Sequence, residues 1–273
     1  MFHPLARLVR LLTAVLIGLP IVTFSNRGWS QTSTSLSGEV LVFAAASLTE
    51  PFAEMGKRLE QQHPGIKVVF NFGGSQALRM QLEQGAHADV FASADIAQME
   101  LATKHGVVQG DTPCFVKNRL VVIVPKDNPG NVREFRDLAR PGLKLDLANA
   151  NVPAGRYSRQ AFDTASTDYG ETFAREVLRN LVSEEENVKQ AVTKVQLGEV
   201  DASIVYVSDV TPKISKDVQT VPIPDAYNQI AWYPIAVTKD VRNPSAAEVF
   251  FLFIFSPEGQ GILQTHEFLP LSN

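Results

Sequence analysis

The sequence predicts an α/β protein, and three observations carry the prediction. Short apolar runs alternate with amphipathic helical stretches three times in succession between residues 40 and 106. Small residues close each of the first two runs and open the helix that follows. The composition, 45% hydrophobic and 20% charged over 273 residues, is that of a soluble globular chain long enough for two lobes of ordinary domain size. Repeated β-then-α units argue for parallel strands with helices on both faces.

The chain opens differently. Arg7 and Arg10 precede an apolar run over 11–24, and Gly28-Trp29-Ser30 then places small residues at both cleavage-determining positions. That is the layout of a signal peptide spanning residues 1–30. The alternative is an uncleaved anchor, but the run is shorter than the roughly 20 residues a spanning helix needs, and Pro20 interrupts it.

After a Ser/Thr-rich stretch at 31–37, residues 40–45 read as a buried strand. Phe52, Met55 and Leu59 then fall at helical spacing over 49–62, and Pro64-Gly65 stops that helix. Residues 67–72 read as a strand, 75–84 as a helix closed by Gly85, and 89–92 as a strand followed by a helix to His105-Gly106. A second block starts near Asn118, with a strand over 120–124, a helix over 132–139 ended by Pro141-Gly142, a strand over 143–147 and a helix over 154–165. A polar, acidic stretch at 183–186 leads into a helix over 187–198 whose apolar face is Val188, Ala191, Val192 and Val195. Residues 203–207 and 232–238 read as strands, and two helices punctuated by Pro257-Glu258-Gly259 close the chain. No internal repeat or long low-complexity linker appears.

Several function classes are excluded at this level. Cys114 is the only cysteine, so an intrachain disulfide and a Cys-based zinc site are ruled out; it is expected to be a small buried hydrophobe. The five histidines are scattered without metal-ligand spacing. Residues 1–30 hold Arg7, Arg10 and Arg27 and no acid, so their removal takes the formal charge from −4 down three units to −7. An acidic chain is a poor nucleic-acid binder. No HExxH, Walker A, complete GxGxxG or G-x-S-x-G pattern is present, so no catalytic site is expected.

Four helix starts stand out: Ala46-Ser47-Leu48-Thr49, Gly73-Gly74-Ser75-Gln76, Val152-Pro153-Ala154-Gly155 and Glu186-Asn187-Val188-Lys189. A helix N-terminus offers unpaired N–H donors and roughly half a positive charge, so it attracts anions. In open α/β sheets such turns lie at the carboxyl ends of strands, where ligands collect. Each has a bland reading as well. Ser47, Ser75 and Asn187 singly read as N-caps, Pro153 as a first helical residue, Val188 as core, and Tyr206 as a half-buried strand tyrosine. Asp95 reads as a helix cap, and Arg79, Lys189 and Lys194 as solvated helix faces.

From about Gly38 to Leu271 the chain resembles the periplasmic molybdate-binding proteins of bacterial ABC transporters. The resemblance rests on AAASLTEPF (44–52), FGGSQALRMQLEQGAHADVFASAD (72–95), VPAGRY (152–157), NVKQAVTKVQLGEVDASIVYVSD (187–209) and YPIAV (233–237), in order along the chain. It implies a two-lobed periplasmic binding protein of type II, each lobe a mainly parallel sheet flanked by helices, with the ligand in the cleft between them. Lobe I would comprise residues 38–117 plus 232–273 and lobe II residues 118–231, hinged near 117–120 and 229–233. The resemblance further implies that molybdate or tungstate is held by the hydroxyls of Ser47 and Ser75, the backbone N–H groups of Ala154 and Val188, and the phenol of Tyr206. It implies no further cofactor, a permease of the inner membrane as partner, a periplasmic location and a monomeric state. Two departures leave the donor count open: Ala148-Asn149 stands where members often have Asp-Pro, and Gly73-Gly74 stands where further hydroxyls often surround the second serine.

An ionised tetrahedral dianion offers only acceptors, so a site made only of donors suits it and rejects a protonated oxyanion. The competing expectation is a binder of another tetrahedral oxyanion such as sulfate. A transcriptional effector domain would need an N-terminal helix-turn-helix, and a signal-peptide pattern stands there instead.

Overall fold

Alternation along the first strand sets the architecture. In β1 (Gly38–Ala45) the side chains of Val40, Val42 and Ala44 join one apolar cluster, whereas Phe43 joins another on the opposite face. A strand buried on both sides needs helices on both sides. The computed structural model describes residues 37–272, so the expected signal peptide at 1–30 lies outside the described residues.

α1 (Thr49–Gln62) buries Phe52, Met55 and Leu59 on one face of the sheet, each worth about 1.5–3 kcal/mol by removal from water. β2 (Ile66–Gly73) pairs in parallel with β1, and α2 (Ser75–Glu83) covers the opposite face through Leu78 and Leu82. β3 (Val90–Ala92) pairs in parallel with β1 on its other edge. Asp95 caps α3 (Ile96–Lys104), its carboxylate accepting from the Gln98 N–H at 2.8 Å, as expected. The two-residue β4 (Val108–Gln109) follows.

β5 (Cys114–Pro125) is longer than the expected strand and passes straight through the expected boundary at Asn118. Beyond it come β6 (Leu145–Ala148), α4 (Pro153–Tyr169), α5 (Phe173–Arg179), β7 (Leu181–Glu185), α6 (Val188–Gln196), β8 (Ala202–Tyr206) and β9 (Val218–Pro222). β6 runs parallel to β7 and β8, with α4 and α6 packed over it. β10 (Ile230–Thr238) returns to the first strands, and α7 (Pro244–Phe255) and α8 (Pro257–Thr265) close the layer beside α1. The main strand order is β2-β1-β3-β10-β5-β8-β6-β7.

The two long strands exchange partners midway. β10 pairs antiparallel with β5 through Ile230–Pro234 and then with β3 from Ile235. β5 pairs with β10 up to Arg119 and with β8 from Leu120. The sheet is therefore mixed, with parallel pairing on either side of an antiparallel two-strand ribbon. The aromatic rings divide accordingly: Phe52, Phe70, Phe115 and Phe250 pack together on one side, and Phe135, Phe162, Phe173 and Tyr227 on the other.

Four local expectations are corrected. The helix expected over 132–139 is a 3₁₀ segment, Phe135–Ala139, because the Asp137 carboxylate accepts the N–H groups of Arg133 and Glu134 and tightens the turn. The acidic stretch at 183–186 belongs largely to β7, a sheet-edge strand whose more exposed residues alternate with less exposed ones. Cys114 is half-buried, and desolvation pushes its thiol up. Lys189 is no solvated helix face, as its ion pairs below show. Among the described residues no single helix is long and apolar enough to cross a membrane.

Candidate functional site

The carboxyl ends of β1 and β2 point at the same place as the amino ends of α4 and α6. One small cavity lies there, lined by Ser47, Ser75, Ala154, Val188 and Tyr206 with Gly73, Gly74, Pro153 and Asn187. The free space is about 10 Å³, against the 10–15 Å³ that holds about one water molecule. At that size no more than about one water fits, so a larger guest enters only if the walls part. All five residues singled out in the sequence meet here, although they are drawn from both sides of the two-strand ribbon.

The bland reading of the two serines does not hold. Ser47 sits inside the 3₁₀ turn Ala46–Leu48, and α1 starts after it with Leu48 at the N-cap and no side-chain cap. Ser75 is the first helical residue of α2, one place after the cap Gly74. Its hydroxyl oxygen instead accepts the Ala94 N–H at 3.0 Å. Both serines are fully buried, and neither hydroxyl oxygen accepts a helix-end N–H as a cap.

The helix starts supply the backbone donors. In α4, Pro153 occupies the first helical position and has no N–H, the Val152 cap contributes no side-chain bond, and Ala154 carries the first available N–H. In α6, Asn187 is a true cap: its carboxamide oxygen accepts from Lys189 at 3.1 Å and from Gln190 at 3.2 Å. That leaves the N–H of Val188, the first helical residue and one that lines the cavity, without a bond from the cap. Tyr206 ends β8, is 1% exposed, and its phenol oxygen has no hydrogen-bond partner. Complete burial pushes its pKa well above the ordinary phenol value, reinforced by the neighbouring Tyr233 and Tyr157, so it remains a donor at neutral pH.

None of the residues lining the cavity is charged. Two cations lie just outside it, each tied to carboxylates. Arg156 pairs with fully buried Asp95 at 2.9 Å and stacks over Tyr157 at 4.5 Å. Lys189 meets Glu50 at 2.7 Å and fully buried Asp209 at 3.1 Å. Burial disfavours the Lys189 ammonium, but the two carboxylates outweigh that and raise its pKa. The Asp95–Arg156 and Glu50–Lys189 pairs both join residues before β5 to residues after it, as do Gln76 Nε2 to the Glu186 carbonyl (3.2 Å) and Gln98 Nε2 to the Asn151 carbonyl (3.4 Å). Sequence reasoning missed these bridges and the buried Tyr233, whose hydroxyl lies 2.9 Å from that of Ser47. Nothing local marks a contact between residues 186 positions apart. Among the described residues no group of three or more His, Cys, Asp or Glu is placed to hold a metal ion.

The chain matches the family of bacterial extracellular solute-binding proteins over residues 40–269. It is 36% identical to the molybdate-binding protein ModA of Mycobacterium tuberculosis H37Rv, covering 94% of this chain and 95% of that protein. It is 28% identical to the Bacillus subtilis lipoprotein YvgL, assigned to ABC-transporter substrate binding, over 98% of this chain and 99% of that one. Among solved structures, the sulfate-binding protein SubI of M. tuberculosis superposes with a TM-score of 0.78 at 20% identity, covering 86% of this chain and 87% of that chain. The periplasmic molybdate-binding protein of Azotobacter vinelandii gives 0.73 at 19%, covering 84% and 98%; at these identities the likeness speaks for the two-lobed fold alone. With the family matched from β1 to the residues after α8, and relatives aligned nearly end to end, the chain belongs to the bacterial extracellular solute-binding proteins.

Proposed function

We propose that this protein captures molybdate, and tungstate with comparable affinity, outside the cytoplasm and delivers it to the permease of an ABC importer. It is a binding protein and carries out no catalysis. The observation that supports this most is the convergence of five neutral donors on a cavity without a charged wall: two buried hydroxyls free of capping duty, two first-turn N–H groups and one unpartnered phenol. A tetrahedral dianion is the ligand whose four acceptors such a set satisfies. The 36% identity to a molybdate-binding protein over 94% of the chain supports molybdate in particular.

The lobes are assigned as 38–117 plus 232–273 and 118–231, with the β5–β10 ribbon as hinge. Donors come from both lobes, so binding and closure are one event. Removal of residues 1–30 on export is supported by the charged-then-apolar start of the chain, and mass spectrometry of native material finding them intact would refute it.

Calorimetric titration of the mature protein with molybdate, tungstate, sulfate and phosphate tests the reading. Sulfate is a smaller tetrahedron, and each bond left unmade in a closed site costs on the order of 1–3 kcal/mol. Two such losses give about 10²- to 10⁴-fold discrimination. Sulfate binding within tenfold of molybdate would instead make this a sulfate carrier.

A further inference from the structure

A hydroxyl is donor and acceptor alike, so a cavity built on serines and a tyrosine does not of itself reject a protonated anion. Something must commit each hydroxyl hydrogen to the cavity. For Ser75 the commitment is visible: the Ala94 N–H, which can only donate, delivers its hydrogen to Ser75 Oγ at 3.0 Å, so the serine's own hydrogen is left for a ligand.

Ser47 has a corresponding partner in Tyr233, whose phenol oxygen lies 2.9 Å from Ser47 Oγ. Distance alone leaves the direction of that bond open, and the surroundings decide it. The Asn118 side-chain oxygen accepts the backbone N–H of Arg119 at 2.9 Å, which fixes the carboxamide with its NH₂ on the other side. That NH₂ donates to Ser208 Oγ at 2.8 Å and faces Tyr233 Oη at 3.5 Å. With a donor facing it from Asn118, the Tyr233 hydroxyl turns its hydrogen toward Ser47. A phenol is also a stronger donor than an aliphatic alcohol, and burial keeps Tyr233 protonated. The result is a one-way chain from backbone N–H to Asn118, Tyr233, Ser47 and the cavity.

Resting on the reading of the cavity as an oxyanion site, we propose that Tyr233, oriented by Asn118, is a specificity-determining residue that occupies one lone pair of the Ser47 hydroxyl, turns its hydrogen toward the ligand and so disfavours protonated oxyanions. Tyr233 does not touch the ligand; it acts through Ser47. Asn118 and Tyr233 lie on β5 and β10, the two strands of the ribbon, so the strands that would bend on closure also orient a ligand donor.

Tyr233→Phe removes the oxygen and keeps the ring, which packs edge-on against Phe115, Tyr206 and Phe268. Molybdate titrations of wild type, Tyr233→Phe, Ser47→Ala and the double variant form the test. Tyr233→Phe should weaken molybdate binding about three- to tenfold, and the double variant should bind as Ser47→Ala does, because the phenol has no other route to the ligand. Phosphate, a dianion that keeps one proton at about pH 8, should compete with molybdate about tenfold better in Tyr233→Phe than in wild type. Equal losses for Tyr233→Phe in both serine backgrounds would show a packing role and overturn the inference, as would phosphate competing no better in the variant. Wild type that fails to bind molybdate would overturn the oxyanion reading itself, an outcome seen before any variant is made.

Discussion

Replacing Gly74 by alanine adds one methyl group where two chain segments already touch. Gly74 caps α2 with φ −63° and ψ 133°, a conformation any residue adopts, so backbone strain is not at issue. A Cβ there would stand 2.4 Å from the Glu186 carbonyl oxygen and 2.5 Å from Gln76 Oε1. The glutamine can swing away, but the carbonyl belongs to the backbone immediately before Asn187 and α6. Restoring an ordinary contact requires a shift of about 1 Å, which carries the Val188 N–H out of hydrogen-bond range of an anion held by Ser47 and Ser75. A donor to a charged acceptor is worth about 1.5–3 kcal/mol, so molybdate affinity should fall about 10- to 150-fold. The calorimetric titration should be paired with thermal unfolding of the ligand-free protein, whose midpoint should barely change because the ribbon can open slightly and relieve the clash. Wild-type affinity in Gly74→Ala would mean that α2 and α6 do not approach this closely in the bound form, and the assignment of Val188 as a ligand donor would fall with it.

Ser47→Ala and Ser75→Ala each delete one donor to a charged acceptor and should cost about 10- to 100-fold in molybdate affinity by calorimetry, with Tyr206→Phe costing as much or less; wild-type binding by all three would place the site elsewhere. Arg156→Ala strips the ion-pair partner from fully buried Asp95 across the cleft, and since the guanidinium is partly solvated the loss should be about tenfold in affinity, with Arg156→Lys recovering part of it. Asp146 on β6 is pushed up to about 7 by burial, with Glu185 adding to the rise and the Ser203 hydroxyl opposing it. A raised carboxyl pKa means that the folded state favours the neutral acid, so stability is fully present below about pH 4 and is lost as pH rises through about 7. Asp146→Asn should therefore raise the Tm at pH 8 and change it little near pH 4, and an equal Tm shift at both would refute the assignment.

The elements that sequence revealed are those whose signals are local. Phe52, Met55 and Leu59 on α1, and Val188, Ala191, Val192 and Val195 on α6, are spaced for one face and bury that face. β7 escaped because Leu181–Glu185 carries its acids on a sheet edge, where one side of the strand meets solvent and composition imitates a loop. Ser47 and Ser75 were legible from local signals only as helix starts, and as donors only through the family resemblance, since one residue of offset between cap and first turn separates the two roles and is set by tertiary packing. The Asp95–Arg156 and Ser47–Tyr233 contacts span 61 and 186 positions, and only the sheet order brings them together. The YPIAV stretch carries Tyr233, so the residue was in view while its role was not.

Placement of the charges fits the proposal that the cavity binds its ligand without any. Arg156 follows Ala154 by two residues and Lys189 follows Val188 by one, so either cation starts within a side chain's reach of an anion in the cleft. Each is instead claimed by a fully buried carboxylate, Asp95 in one case and Asp209 in the other. A cation inside the cavity would attract every dianion by charge, whatever its size and whether or not it carried a proton, and one lobe alone would hold it. Neutral donors act only at hydrogen-bond distance and only when all are in place, so discrimination rests on the size of the tetrahedron and the direction of each hydrogen. Because the donors are divided between segments on either side of the β5–β10 ribbon, opening by about an ångström removes several at once. On the proposed two-lobe reading, the division that makes binding selective in a closed form also eases release once the permease parts the lobes.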